Sequence, residues 1–201
     1  MEVQIEIFSV RESVKMGKLI YTVLTSLDGY TADAEGNFHW AEPEEDVHIF
    51  INKLELKNEI ILCGRKMYEI LSFWENLPED EKRPDYIKEY QAAWKKAKKI
   101  VFSSSLKEIK TANTILKTDF NRAELEALKK WEPENIGIGG AELASQAFSF
   151  GQIDEIYRFL FPVMIGSGKR WLECEKAVNL RRIESREFSN GVVMLHYSVH
   201  A

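Results

Sequence analysis

The stretch Ile60-Ile61-Leu62-Cys63-Gly64-Arg65-Lys66-Met67-Tyr68-Glu69 limits what this chain can become more than any other. Its apolar first half has the pattern of a strand covered on both faces, and it runs into a glycine. Beyond Gly64 the spacing turns helical, with Met67, Ile70 and Leu71 on one side. The first amides of such a helix have no partners within it, so they face whatever anion lies over the turn. Arg65 and Lys66 add full charges to those partial ones. The same pattern also serves as an ordinary strand-to-helix connection with a solvated Arg-Lys pair. What favours a ligand is a second stretch built alike, Ile136-Gly137-Ile138-Gly139-Gly140-Ala141-Glu142-Leu143.

The remaining segments are read around these two. Lys18–Leu24 is a strand, and the Ser26-Leu27-Asp28-Gly29-Tyr30 turn leaves it through an Asp-Gly pair suited to positive φ. A polar loop ends on Phe38-His39-Trp40. Glu42-Pro43-Glu44-Glu45-Asp46 then opens a helix whose apolar residues Val47, Phe50, Ile51 and Leu54 recur at helical spacing. Helices are expected over Ile87–Ala97 and Asn121–Lys130, the second capped by Asn121, and from Ala141 to Phe150. Further strands are expected at Ile100–Phe102, Ile115–Lys117, Ile136–Gly139 and Ile153–Phe161. The last two, Leu180–Phe188 and Val192–Val199, flank Asn190-Gly191, a strong hairpin signal. Strands alternating with helices and then a terminal hairpin predict an α/β fold: a mostly parallel central sheet, helices on both faces, and an antiparallel C-terminal hairpin.

With 201 residues the chain suits one domain over 16–201. Residues 1–15 precede Met16-Gly17-Lys18, where the chain starts afresh like a protein on its first strand. They are expected to be a dispensable, poorly ordered extension; the alternation of Val3, Ile5 and Ile7 leaves an added edge strand as the alternative. The net charge of −5 argues against a general nucleic-acid or acidic-membrane binder, and no apolar run approaches the ~20 residues of a membrane span. The lysine cluster from Lys95 to Lys99 reads as dipole compensation on a wet helix end. Cys63 and Cys174 are both read as buried thiols, which suits a cytoplasmic protein. His196 and His200 are poorly spaced for a metal on a strand, so no metal site is expected.

Three strand ends carry turns able to meet a ligand: Gly64-Arg65-Lys66, Ser103-Ser104-Ser105 and Gly139-Gly140-Ala141-Glu142. Ligands of open α/β sheets bind outside the carboxyl ends of the strands. On one rim, the double glycine lets a pyrophosphate approach the backbone, while Arg65 and the serines hold a further phosphate. That set suits a phosphorylated dinucleotide, and it favours NADP over NAD. Neither the G-x-G-x-x-G fingerprint nor a P-loop is present.

In these residues the span from Met16 onward resembles the dihydrofolate reductase-like superfamily, most of all the reductase domain at the C-terminus of the bacterial riboflavin-biosynthesis deaminase-reductase. The resemblance is carried by Ser26-Leu27-Asp28-Gly29, Gly64-Arg65-Lys66-Met67-Tyr68-Glu69, Val101-Phe102-Ser103-Ser104, Gly139-Gly140-Ala141-Glu142-Leu143, Asp154-Glu155 and Pro162-Val163-Met164-Ile165-Gly166-Ser167-Gly168. It implies a three-layer fold with NADPH over the sheet edge. The implied cofactor contacts are Gly64, Arg65, Lys66 and Met67, Ser103 and Ser104, and Gly139, Gly140, Ala141, Glu142 and Leu143. It also implies a cis peptide at Gly139-Gly140, a homodimer, and a substrate side containing Trp40, Phe161 and Ile165. The deaminase motif, H-x-E with P-C-x-x-C, does not occur.

The expected chemistry is hydride transfer from NADPH to a C=N or C=O bond of a small heterocycle, in the manner of a dihydrofolate or 5-amino-6-(5-phosphoribosylamino)uracil reductase. Asp28 and the first-helix carboxylate Asp46 are the candidate catalytic acids. Each has a plainer alternative, Asp28 as an Asp-Gly turn and Asp46 as a helix-start charge. Trp40 can stack on a flat substrate or lie buried under its loop. The rival from another class is a catalytically inactive, dimeric NADPH-binding sensor or interaction module.

Overall fold

In the computed structural model, residues 16–131 and 134–199 are described; the N-terminal extension and His200 lie outside them. The strands are β1 (Leu19–Ser26), β2 (Tyr30–Ala32), β3 (Asn58–Gly64), β4 (Lys98–Phe102), β5 (Thr114–Lys117), β6 (Asn135–Gly139), β7 (Glu155–Phe161), β8 (Lys169–Arg170), β9 (Leu180–Glu187) and β10 (Val193–Val199). The helices are α1 (Glu45–Glu55), α2 (Arg65–Leu71), α3 (Phe73–Asn76), α4 (Asp85–Lys96), α5 (Arg122–Trp131) and α6 (Ala141–Ser149), with a 3-10 turn at His39–Ala41.

The main sheet runs β5-β4-β3-β6-β1-β7-β10-β9. The first six strands are mutually parallel, and β10 pairs antiparallel with both β7 and β9. Alternation along the strands divides the core into two layers. Leu19, Tyr21, Val23 and Ile156 pack with Leu125 of α5 and Leu143, Ala144 and Ala147 of α6. Phe159, Phe161 and Met194 pack on the other face with Val47, Ile51 and Leu54 of α1. The mostly parallel, two-face-covered sheet with its antiparallel hairpin is as expected. Asn121 caps α5, its side-chain oxygen accepting from the Glu124 amide at 3.0 Å.

Several expectations need correcting. Lys99 does not sit on a wet helix end but is fully buried in β4. Its Nζ donates to the Trp94 and Ala97 carbonyls at 2.8 and 3.0 Å, so it compensates the end of α4 from inside the core. Burial pushes its pKa down. Cys63 is buried, whereas Cys174 is exposed, because it falls between β8 and β9, outside the packed layers. The Gly139–Gly140 peptide is trans, not cis. Gly140 makes the turn instead by adopting φ +93°, a conformation open to glycine. Among the described residues no helix is long and apolar enough to cross a membrane.

Candidate active site

Strand register sets the shape of the rim. Gly64 lies beside Phe102 and Cys63 beside Gly139, so β3, β4 and β6 end nearly level. Tyr21 lies beside Ile138, yet β1 continues to Ser26 alongside Phe161. At the usual rise per residue, β1 and β7 therefore overrun β6 by about 13 Å. The result is a step, with the glycine turns on its floor and the ends of β1 and β7 as its wall. It falls where the chain leaves β1 for β3 on one side and crosses from β6 to β7 on the other, the position at which open α/β sheets bind ligands.

The floor offers open space and backbone donors to an anionic ligand. A Cβ at Gly64 would meet no other packing atom of the described residues within 4 Å, so they leave that space open. Met67 packs beneath the double glycine; a Cβ on Gly139 would lie 3.4 Å from its Cγ. No side chain caps α6, and its first amides remain for an anion. Ala141 and Leu143 are buried, so they offer backbone rather than side chains. Glu142 is a less obvious neighbour for phosphate, but Lys169 Nζ pairs with it at 2.6 Å. Lys169 and the nearby Lys66 hold its carboxyl below the usual range.

On the far side of β3, Arg65 Nη1 donates to both carboxylate oxygens of Glu69, at 3.0 and 3.1 Å. The Ser103 hydroxyl accepts from the Ser105 and Leu106 amides, which fixes the turn and leaves its O–H to donate. Ser104 beside it is exposed.

The wall is made by two loops tied together. Leu27 N donates to the Val163 carbonyl at 2.8 Å, and the Asp28 carboxylate accepts from Gly166 N at 2.7 Å and Ile165 N at 3.2 Å. The Ser26 hydroxyl and these amides hold the Asp28 carboxyl below its usual range. Asp28 is therefore ionised at neutral pH and anchors the loop that carries Ile165. Because the folded pKa is depressed, this anchoring is complete above the ordinary aspartate value of about 3.9 and is lost as pH falls through the lower folded value. Replacing Asp28 with alanine is expected to speed hydrogen exchange at the Ile165 and Gly166 amides at neutral pH. Unchanged protection there would mean that the loop holds itself.

Trp40 lies edge-on to Phe161, with ring centroids 6.4 Å apart, so the structure brings these two expected residues together. The Trp40 indole N–H is buried without an acceptor among the described residues. Asp46 stands elsewhere on the rim. It accepts from the Ser189 amide at 3.1 Å, the Ser189 hydroxyl at 2.9 Å and the Val47 amide at 2.8 Å. The Ser189 amide first, then its hydroxyl, keeps the Asp46 carboxyl below the usual range. It thus clamps the start of α1 to the β9–β10 turn.

Two parts of the site went unread in the sequence. One is the β2–β8 ribbon, in which Tyr30 pairs with Arg170 and Ala32 with Lys169. The other is the Glu142–Lys169 pair, which joins that ribbon to α6. The Arg65–Glu69 pair, by contrast, had a readable signal, opposite charges spaced i, i+4 on a helix.

Comparison with known proteins agrees with this geometry. The RibD C-terminal domain family matches residues 17–194. The chain is 30% identical to the uncharacterized protein YyaP of Bacillus subtilis, over 92% of this chain and 96% of that protein. Among solved structures it is similar to a pyrimidine reductase-like protein from Corynebacterium diphtheriae, with TM-score 0.66 and 15% identity, covering 92% of each chain. It is also similar to dihydrofolate reductase from Enterococcus faecalis complexed with NADP(H), with TM-score 0.59 and 12% identity, covering 92% of this chain and 98% of that one. At those identities the two structures speak for the fold, which is dihydrofolate reductase-like.

Proposed function

The chain belongs to the RibD C-terminal domain family, and from that premise we propose that it is an NADPH-dependent reductase. Its substrate would be a small heterocycle, pterin-like or ribitylaminopyrimidine-like, reduced at a C=N or C=O bond. The observation that carries this reading is the open space in front of Gly64, flanked by the uncapped start of α6 and by Arg65. NADPH bound there would supply the hydride.

The protein's own part is to bind and orient. Gly139, Gly140 and the first amides of α6 hold the pyrophosphate, with Lys66 near it. Arg65 and Ser104 hold the ribose 2′-phosphate. Trp40, set edge-on to the buried Phe161, offers its ring face to a flat substrate. Ile165 closes this side from the loop held by Asp28. Asp28 and Asp46 already accept several hydrogen bonds as carboxylates, so the proton follows from water rather than from either acid.

The same engaged state of both carboxylates favours a second reading, in which the protein binds NADPH as a sensor or interaction module without turnover. On either reading we take it to be a cytoplasmic homodimer paired through β9, an edge strand exposed along its whole length. The purified protein with NADPH and a panel of pterins and ribitylaminopyrimidines is the test. Substrate-dependent loss of the reduced nicotinamide absorbance supports the reductase. Tight NADPH binding with no turnover on any of them supports the module.

A further inference from the structure

Arg65 does not stand free for a phosphate. It is held by Glu69 on the same face of α2, through both carboxylate oxygens, and the two side chains are 40% and 49% exposed. Glu69 also lines a surface groove of about 350 Å3, together with Tyr68, Ser72, Leu106, Lys107 and Lys110. That groove separates α2 from the segment following Ser103 and Ser104, and the carboxylate that holds Arg65 lines it.

Resting on that assignment, we propose that Glu69 determines nucleotide specificity by competing with the ribose 2′-phosphate for Arg65, which lowers the site's preference for NADPH over NADH. An exposed i, i+4 pair is weakly held, and a phosphate dianion with three acceptor oxygens displaces it. The displaced carboxylate cannot leave, because it is fixed to α2 within a side chain's length of the phosphate. Its like charge then opposes the bound dianion. The neutral 2′-hydroxyl of NADH meets no such opposition. The cost therefore falls on one nucleotide and spares the other.

NADPH and NADH are titrated separately into the wild-type protein, Glu69→Gln and Arg65→Ala, with circular dichroism as the check on folding. Glu69→Gln is expected to tighten NADPH about two- to fivefold and to leave NADH unchanged. Arg65→Ala is expected to weaken NADPH selectively. If Arg65→Ala weakens NADPH but Glu69→Gln leaves it unchanged, or tightens both nucleotides alike, the role of Glu69 is overturned while the reductase reading stands. If neither nucleotide binds the wild-type protein or Glu69→Gln, the cofactor reading itself falls.

Discussion

Gly64→Val is expected to leave the protein folded and to remove most of its nucleotide binding. Gly64 has φ −84° and ψ 171°, extended backbone that any residue adopts. A Cβ there meets nothing within 4 Å, so the protein gives no steric reason for a glycine. Valine suits the end of a strand. Its one local drawback is replacing glycine at the N-cap of α2, about 1 kcal/mol or less. A dinucleotide crossing the turn would collide with the new side chain. Overpacking of that kind costs about 1–3 kcal/mol, or about 5- to 150-fold in affinity. The pair of measurements is a urea midpoint and an NADPH titration. A stable variant that still binds like wild type would place the nucleotide away from β3.

Gly168→Ala has the opposite profile, a large loss of stability. A Cβ on Gly168 would lie 2.0 Å from the Ala32 carbonyl oxygen and 2.9 Å from the Asp33 Cα, both backbone atoms of the facing strand and turn. Its φ of +146° is itself unfavourable for alanine. Neither problem is relieved without separating β2 from β8, and we expect a loss of about 3 kcal/mol or more in denaturant unfolding. Gly166 is the matched control. It also has positive φ, at +80°, but its Cβ would enter open space, so Gly166→Ala is expected to cost only about 1 kcal/mol. Equal effects at the two positions would contradict the packing account of this loop. Loss of the ribbon also frees Lys169 from Glu142 and slackens the loop anchored by Asp28, so substrate handling should fail with it.

The contrast between those glycines explains what could be read in advance. Both glycine turns on the floor follow a buried apolar run, a signal carried by adjacent residues, and the strands ending at Gly64 and Gly139 are where that signal puts them. The hairpin at Asn190-Gly191 is equally local, with Gly191 at φ +83°. The need for glycine at position 168 comes from Ala32, far away in sequence, across strands too short to show a period. Lys99 looked like one more member of a solvated cluster, but the strand turns it inward beneath Trp94, with its Nζ 4.9 Å from the ring centroid. Asp28 and Asp46 could be located but their work could not, because Ile165, Gly166 and Ser189 are brought to them only by the fold. Ser103 shapes its turn by accepting from that turn's own amides, which keeps its O–H as a donor beside the exposed Ser104.

The most direct measurement is a titration of the wild-type protein with NADPH and, separately, NADH, followed by nucleotide fluorescence. Saturable binding of NADPH, tighter than that of NADH, is expected at one site per chain. Binding of neither nucleotide would contradict it, leaving a reductase-type fold whose rim serves some other ligand.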